Sequence, residues 1–206
     1  NYKMFCFVQH DKMKVFKFGG ASVKDAAGIR NVASIIQTYG EQNLVVVVSA
    51  TGKTTNALEE VIKAYFGDTD AKAAFDVVKK NHDTICRDLF GNNTHEVFDK
   101  LQNIYAEVDW QLEESRKESY NYVYDQIVSQ GELISSVILS AYLNEAGVKN
   151  NWLDVRDVMK TDDTYREAVV DWNKTQLLMN SVVKPLVNGS IIVTQGFIGC
   201  TAENCT

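Results

Sequence analysis

Residues 14–50 read KVFKFGGASVKDAAGIRNVASIIQTYGEQNLVVVVSA, and their pattern decides the fold class. The run KVFKF at residues 14–18 is short and β-rich, and Gly19-Gly20 breaks it at once. Residues 23–39 then carry Ile29, Val32, Ile35 and Ile36 at helical spacing, which predicts a helix stopped by Gly40. Residues 44–48, LVVVV, form a continuous apolar run of the kind found in strands covered on both faces. Strand, loop, helix and strand in that order make a βαβ unit, hence a parallel sheet with a right-handed crossover.

Outward from this unit the pattern changes. Residues 55–146 show almost no strand signal and read as helices over 55–66, 70–89, 94–117 and 121–146. Breaks fall near Gly67-Asp68, Gly91-Asn92-Asn93 and Ser119-Tyr120. This stretch predicts a largely helical insertion between strands. The α/β pattern resumes with a short strand at 152–155 and a helix over 173–186, whose last turn Pro185 should end or kink. A buried strand follows at 190–194, leading into Gln195-Gly196-Phe197-Ile198-Gly199. The expected fold is α/β: a parallel-rich central sheet flanked by helices. Residues 1–12 read as a leader extension, non-native or disordered.

Composition narrows the partners. The 206 residues carry 21 Lys+Arg against 27 Asp+Glu, a formal net charge of -6 with no basic run, which argues against nucleic acid and anionic membranes. No apolar run approaches a membrane span, and the first residues lack a signal-peptide core, which makes the cytoplasm the expected compartment. Cys6, Cys86, Cys200 and Cys205 form no CxxC pair and read as isolated thiols, and no metal-ligand spacing is present.

Four segments carry chemistry. In Lys17-Phe18-Gly19-Gly20-Ala21-Ser22 a lysine ends a strand and two glycines open a turn. Such a turn lets backbone N–H groups approach an anion, and it equally suits a tight turn with Ser22 as helix cap. In Ser49-Ala50-Thr51-Gly52-Lys53-Thr54-Thr55-Asn56 the string Gly52-Lys53-Thr54 imitates a P-loop, but the first glycine of that motif is replaced by Val47. The segment reads either as a hydroxyl-rich pocket wall or as a polar loop capped by Thr55 or Asn56. In Ser129-Gln130-Gly131-Glu132 a glycine sits inside a helical pattern beside a lone acid, which suggests a close contact there. In Thr194-Gln195-Gly196-Phe197-Ile198-Gly199 two glycines follow a strand and free its backbone to line a ligand.

KFGGASV, VVVVSATGKTTNAL, VSQGELIS and IIVTQGFIG occur in the order and spacing of aspartate kinases of the amino acid kinase family, and WLDVRDVM at 152–159 resembles the same family. Ala21 stands where threonine is more usual. The resemblance runs from residue 14 to the end and corresponds to the substrate-binding lobe. It implies ATP-dependent phosphorylation of the L-aspartate β-carboxylate, with ATP and Mg2+ as cofactors and a homo-oligomer at full length. It assigns Lys17 to the transferring phosphoryl group, and Gly19, Gly20, Ser22 and Ser49 to the phosphate path. Ser49, Thr55, Glu132, Gly196 and Phe197 fall to aspartate, with Glu132 facing its ammonium. In the family a TTLGRGGSD-like segment follows the GFIG loop and supplies an arginine for the substrate α-carboxylate. Residues 13–206 are therefore expected to be a lobe cut before the nucleotide lobe, inactive alone. The alternatives are a superfamily kinase acting on glutamate, carbamate or a nucleotide, and a non-catalytic binding module.

Overall fold

The computed structural model describes residues 13–39, 43–91, 94–113, 118–203 and 205–206, together with the backbone of Phe5–Cys6. Strands β1 (Phe5–Cys6), β2 (Lys14–Phe18), β3 (Leu44–Val48), β4 (Asn151–Trp152) and β5 (Ile191–Gln195) form one sheet in the order β1-β2-β3-β5-β4. The last four are parallel; β1 pairs antiparallel with β2, Phe5 opposite Val15. Otherwise the leader expected over residues 1–12 lies outside the described residues.

Side-chain alternation divides the sheet into two faces. Leu44, Val46 and Val48 of β3 and Ile191 and Val193 of β5 enter the main core, beneath α1 (Ala26–Thr38). Val45 and Ile192 point the other way, toward a smaller cluster with Leu153, Val155, Val158 and Val187. Val45 and Val47 are only half-buried, so β3 is fully covered on one face rather than both. The second face is roofed by α7 (Trp172–Leu178), a π turn at Met179–Val183 and α8 (Lys184–Val187). Pro185 is the second residue of α8, directly after the π turn that interrupts the helical run.

Five helices fill residues 54–145: α2 (Thr54–Phe66), α3 (Ala71–Phe90), α4 (Val97–Glu113), α5 (Tyr120–Val128) and α6 (Gln130–Glu145). They share the main core with the sheet, so the helical run is continuous with the α/β layer. The helix expected over 121–146 is divided at Ser129 into α5 and α6. Helix α6 is buried nearly all round, from Gln130 to Ala141, as a helix packed between sheet and helices must be. Glycines Gly67 and Gly91 end α2 and α3, and Ser119 caps α5 by accepting the Tyr122 N–H at 3.2 Å.

Two caps differ from expectation. Helix α1 starts at Ala26 rather than residue 23, because Asp25 accepts the Gly28 N–H at 2.8 Å and outcompetes Ser22 as the cap. Residues Gly20–Val23 form a separate 3-10 turn. Neither Thr55 nor Asn56 caps α2; Lys53 holds that position without a side-chain bond. The strand expected at 152–155 ends at Trp152, because Gln195 Oε1 takes the Val155 N–H at 2.7 Å. Gly40 lies outside the described residues. Cys86 and Cys200 are buried free thiols and Cys205 is a half-buried one. Among the described residues no helix is long and apolar enough to cross a membrane.

Candidate active site

The sheet delivers its loops to one edge. In a parallel sheet all strands share a direction, so the ends of β2, β3 and β5 stand side by side: Phe18 opposite Val48, and Val48 opposite Gln195. The ladder continues beyond the strands. Ser49 N–H donates to Phe18 O at 3.0 Å, Gly196 N–H to Val48 O at 3.2 Å, and Gly52 N–H to Gly20 O at 3.0 Å. Gly20 permits the last contact, since a Cβ there would lie 2.4 Å from Ala50 O. The glycine serves loop-to-loop packing, whereas Gly19 has open space on its side-chain flank.

Helix α6 is locked to these loops by two adjacent serines. Ser135 Oγ donates to Ser49 O at 2.9 Å. Ser136 Oγ accepts from Gln195 Nε2 at 2.6 Å and from Trp152 Nε1 at 2.9 Å, and donates to Leu133 O at 2.9 Å. One buried hydroxyl thus ties α6 to both β4 and β5. Gly131 lets α6 approach: a Cβ would sit 3.1 Å from Ala50 Cβ and 3.2 Å from Thr54 Cγ2. On the α2 side, Thr54 Oγ1 and His82 Nε2 are 3.1 Å apart. His82 Nδ1 contacts Val78 O at 2.8 Å and so carries the proton, leaving Nε2 to accept the Thr54 hydroxyl. Burial lowers the His82 pKa and keeps the ring neutral.

These contacts place Glu132 in the first turn of α6, only 8% exposed. Burial pushes its carboxyl up to about 7, against the opposing pull of its own N–H and that of Ala50. Among the described residues no cation pairs with it. It faces a cavity of about 870 Å³ that also collects Gly20, Ser49, Thr55 and Phe197. Lys17, Gly19, Ser22 and Gly196 lie beside the cavity rather than in its wall. Lys17 reaches across Gly196: its Nζ stands 4.6 Å from the Phe197 ring centroid, and a Cβ on Gly196 would meet Lys17 Cε at 3.9 Å. Phe197 is 82% exposed and held at φ 67°, an unusual backbone state for a bulky residue. Lys53 is exposed at the start of α2.

The opposite wall was not legible in the sequence. It comes from α5, through Tyr124 and Asp125, and from the hairpin that follows Met159, through Thr161, Arg166 and Glu167. The hairpin is closed by a Thr161–Val170 bridge, and Asp162 Oδ1 accepts the N–H groups of Thr164 and Val169. Its polar stretch DDTYREA has no periodicity that would point to a cavity. The WLDVRDVM segment leads into it and is tied internally: Arg156 Nη2 contacts Asp154 Oδ2 at 2.7 Å, and Lys160 Nζ donates to Arg156 O at 2.8 Å. Among the described residues no three His, Cys, Asp or Glu side chains converge as a metal seat.

Comparison with known proteins agrees with this geometry. The amino acid kinase family model matches residues 12–205. A chloroplastic bifunctional aspartokinase/homoserine dehydrogenase 2 of Arabidopsis thaliana is 30% identical over 198 residues, which are 92% of this chain and 21% of that protein. The lysine-sensitive aspartokinase 3 of Escherichia coli (strain K12) is 29% identical over 186 residues, covering 90% of this chain and 40% of the relative. The crystal structure of E. coli aspartokinase III in complex with aspartate and ADP superposes with a TM-score of 0.81 at 26% identity, covering 93% of this chain and 42% of that one. The chain therefore spans well under half the length of these relatives. With its sheet, its loop order and a family match over nearly its whole length, the chain belongs to the amino acid kinase family.

Proposed function

We propose that this chain forms the amino-acid-binding part of a kinase that transfers the γ-phosphoryl group of ATP to the β-carboxylate of L-aspartate, giving 4-phospho-L-aspartate and ADP. The observation that carries this reading is Glu132, a buried carboxylate with no cation partner among the described residues, facing a polar cavity at the ends of parallel strands. An ionised Glu132 in that position calls for a cation from the ligand, and a substrate ammonium supplies it. The aspartate and ADP bound by the E. coli neighbour support the same ligand class here.

The chemistry asks little proton transfer of the protein. A β-carboxylate with a reference pKa of about 3.9 is already ionised at neutral pH and needs no general base. Its oxygen bonds to the γ-phosphorus as the bond from phosphorus to the bridging oxygen of ADP breaks, and ADP leaves with that electron pair. Two anions must approach, so positioning and positive charge dominate the barrier. Lys17 at the end of β2 and the open flank of Gly19 are this chain's contribution to the phosphoryl groups. Thr55, in the first turn of α2, and Ser49 offer hydroxyls to the acceptor. Mg2+ would neutralise phosphate charge when bound; among the described residues no three His, Cys, Asp or Glu side chains gather as a seat for it.

The test is ADP release in a coupled assay, with hydroxylamine trapping of any acyl phosphate formed, by the protein expressed from its complete reading frame, with L-aspartate, L-glutamate, carbamate and a nucleoside monophosphate compared as acceptors. ATP-dependent hydroxamate formation with L-aspartate is the expected outcome. Phosphorylation of another acceptor in its place would overturn the aspartate assignment.

A further inference from the structure

Phe197 combines two features that an ordinary loop avoids. It is 82% exposed, and its backbone stands at φ 67°, a state from which a bulky side chain gains nothing. Both neighbours of the residue are fixed. The Gly196 N–H donates to Val48 O at 3.2 Å and so continues the β3–β5 ladder, and Ile198 packs against both apolar clusters. The anchored flanks impose the angle on Phe197 and hold its ring outside the core. A strained and exposed phenylalanine adds little by burial, so its role lies in what the ring touches.

The ring touches Lys17, whose ammonium lies over it, 4.6 Å from the centroid. The lysine stem passes the bare flank of Gly196, where a Cβ would stand 3.9 Å from Lys17 Cε and 3.2 Å from Val47 Cγ1. Lys17 and Val47 are register partners on β2 and β3. Strand pairing thus sets where the stem starts, the glycine leaves room for it, and the ring receives its head. A lysine stem is long and flexible, and a point charge that samples many positions stabilises a developing anion poorly. The negative face of an aromatic ring holds such a cation without neutralising it, as a carboxylate partner would.

We propose that Phe197 is a positioning residue for Lys17: its ring holds the ammonium at the end of β2, in place before the phosphoryl donor arrives. This rests on the phosphoryl-transfer reading above, and it gives Phe197 a task other than the acceptor wall that the family resemblance implies for it. Lys17 is then ordered on folding rather than at the moment of transfer, where its ordering would add to the barrier. Because the ring acts only through Lys17, its removal has no effect of its own once the lysine is gone.

Two measurements test it. The first is NMR of the chain with 13C-labelled lysine, which needs no turnover. The Lys17 ε-CH2 signal, assigned by its loss in K17R, is expected upfield of the other lysines through the ring current, and at their common position in F197L. The second is steady-state kinetics of the complete protein. F197L is expected to lower kcat about fivefold, the factor that an exposed cation–π contact supports, with the KM for L-aspartate changed less than about twofold. F197Y and F197W keep an aromatic face and are expected to recover the lost rate. In a K17A background F197L should lower kcat no further. Glycine adopts φ 67° freely, so F197G should lose the same rate with a thermal midpoint at or above that of the wild type, which separates the role from folding. A loss that appears as a raised KM for L-aspartate, or that persists in K17A, would overturn the positioning role and make Phe197 an acceptor wall. A wild-type ε-CH2 signal at the common lysine position would overturn the contact itself. A complete protein that phosphorylates none of the acceptors would overturn the kinase reading and the role in transfer together, while the ring-current shift would still report the contact.

Discussion

Replacing Glu132 with glutamine should make the protein more stable at alkaline pH and blind to its ligand. The carboxyl is 8% exposed and burial raises it from 4.5 to about 7. Between those values the native state binds more protons than the unfolded chain. The stabilising contribution of this group is complete below about 4.5 and is lost as pH rises through 7. A shift of this size is worth about 3 kcal/mol at pH 8. Glutamine keeps an oxygen to accept the Ala50 N–H and carries no charge to desolvate. The stability difference between E132Q and wild type should therefore grow by about 3 kcal/mol from pH 4.5 to pH 8. Urea denaturation followed by far-UV circular dichroism measures it. The variant-minus-wild-type difference isolates Glu132, because His82, Asp125, Arg166 and Glu167 are common to both proteins. Using that difference matters, since His82 works in the opposite direction: its lowered pKa makes stability fall as pH drops. Parallel pH profiles for the two proteins would refute the reasoning.

Three further perturbations probe the support of the site. Removing the Ser136 hydroxyl (S136A) strands the Gln195 and Trp152 donors and should cost about 2–3 kcal/mol in urea midpoint analysis. G20A drives a Cβ toward the Ala50 carbonyl and should destabilise by about 1–3 kcal/mol, whereas G19A, with open space on its flank, should change stability by less than about 1 kcal/mol. K17A removes an exposed side chain, so thermal unfolding should shift by no more than about 0.5 kcal/mol, while phosphoryl transfer in the complete protein should fall on the order of 100-fold.

The parts of the fold that repeat were readable in the residues. The step from short β-rich and continuous apolar runs in β2 and β3 to period 3.6 in α1 marked the βαβ unit, and the same helical period located α2, α3, α4 and the α5–α6 run within a few residues. What escaped was decided by single side chains acting across the fold. Asp25 displaced Ser22 as the α1 cap, and Gln195 took the Val155 N–H that a longer β4 would have used. Gly131 hinted at a close approach, and the contact with Ala50 and Thr54 supplies it. The motifs KFGG, SATGKTT, SQGE and TQGF converge because their strands are parallel and α6 bridges them through Ser135 and Ser136. Arg166 offered no comparable signal. Its place in the cavity wall is set by a backbone angle and by contacts to Tyr124 and Asp125, and neither leaves a spacing pattern.

The measurement closest to the central claim is the proton exchanged when L-aspartate binds. If its ammonium meets Glu132, binding forces that carboxyl to ionise. Titration calorimetry at pH 6.5 in buffers of different ionisation enthalpy should then show release of about three-quarters of a proton, as a carboxyl at about 7 requires. The release should be absent from any residual binding by E132Q. Binding of L-aspartate with no proton release, or with the same release in E132Q, would contradict the account.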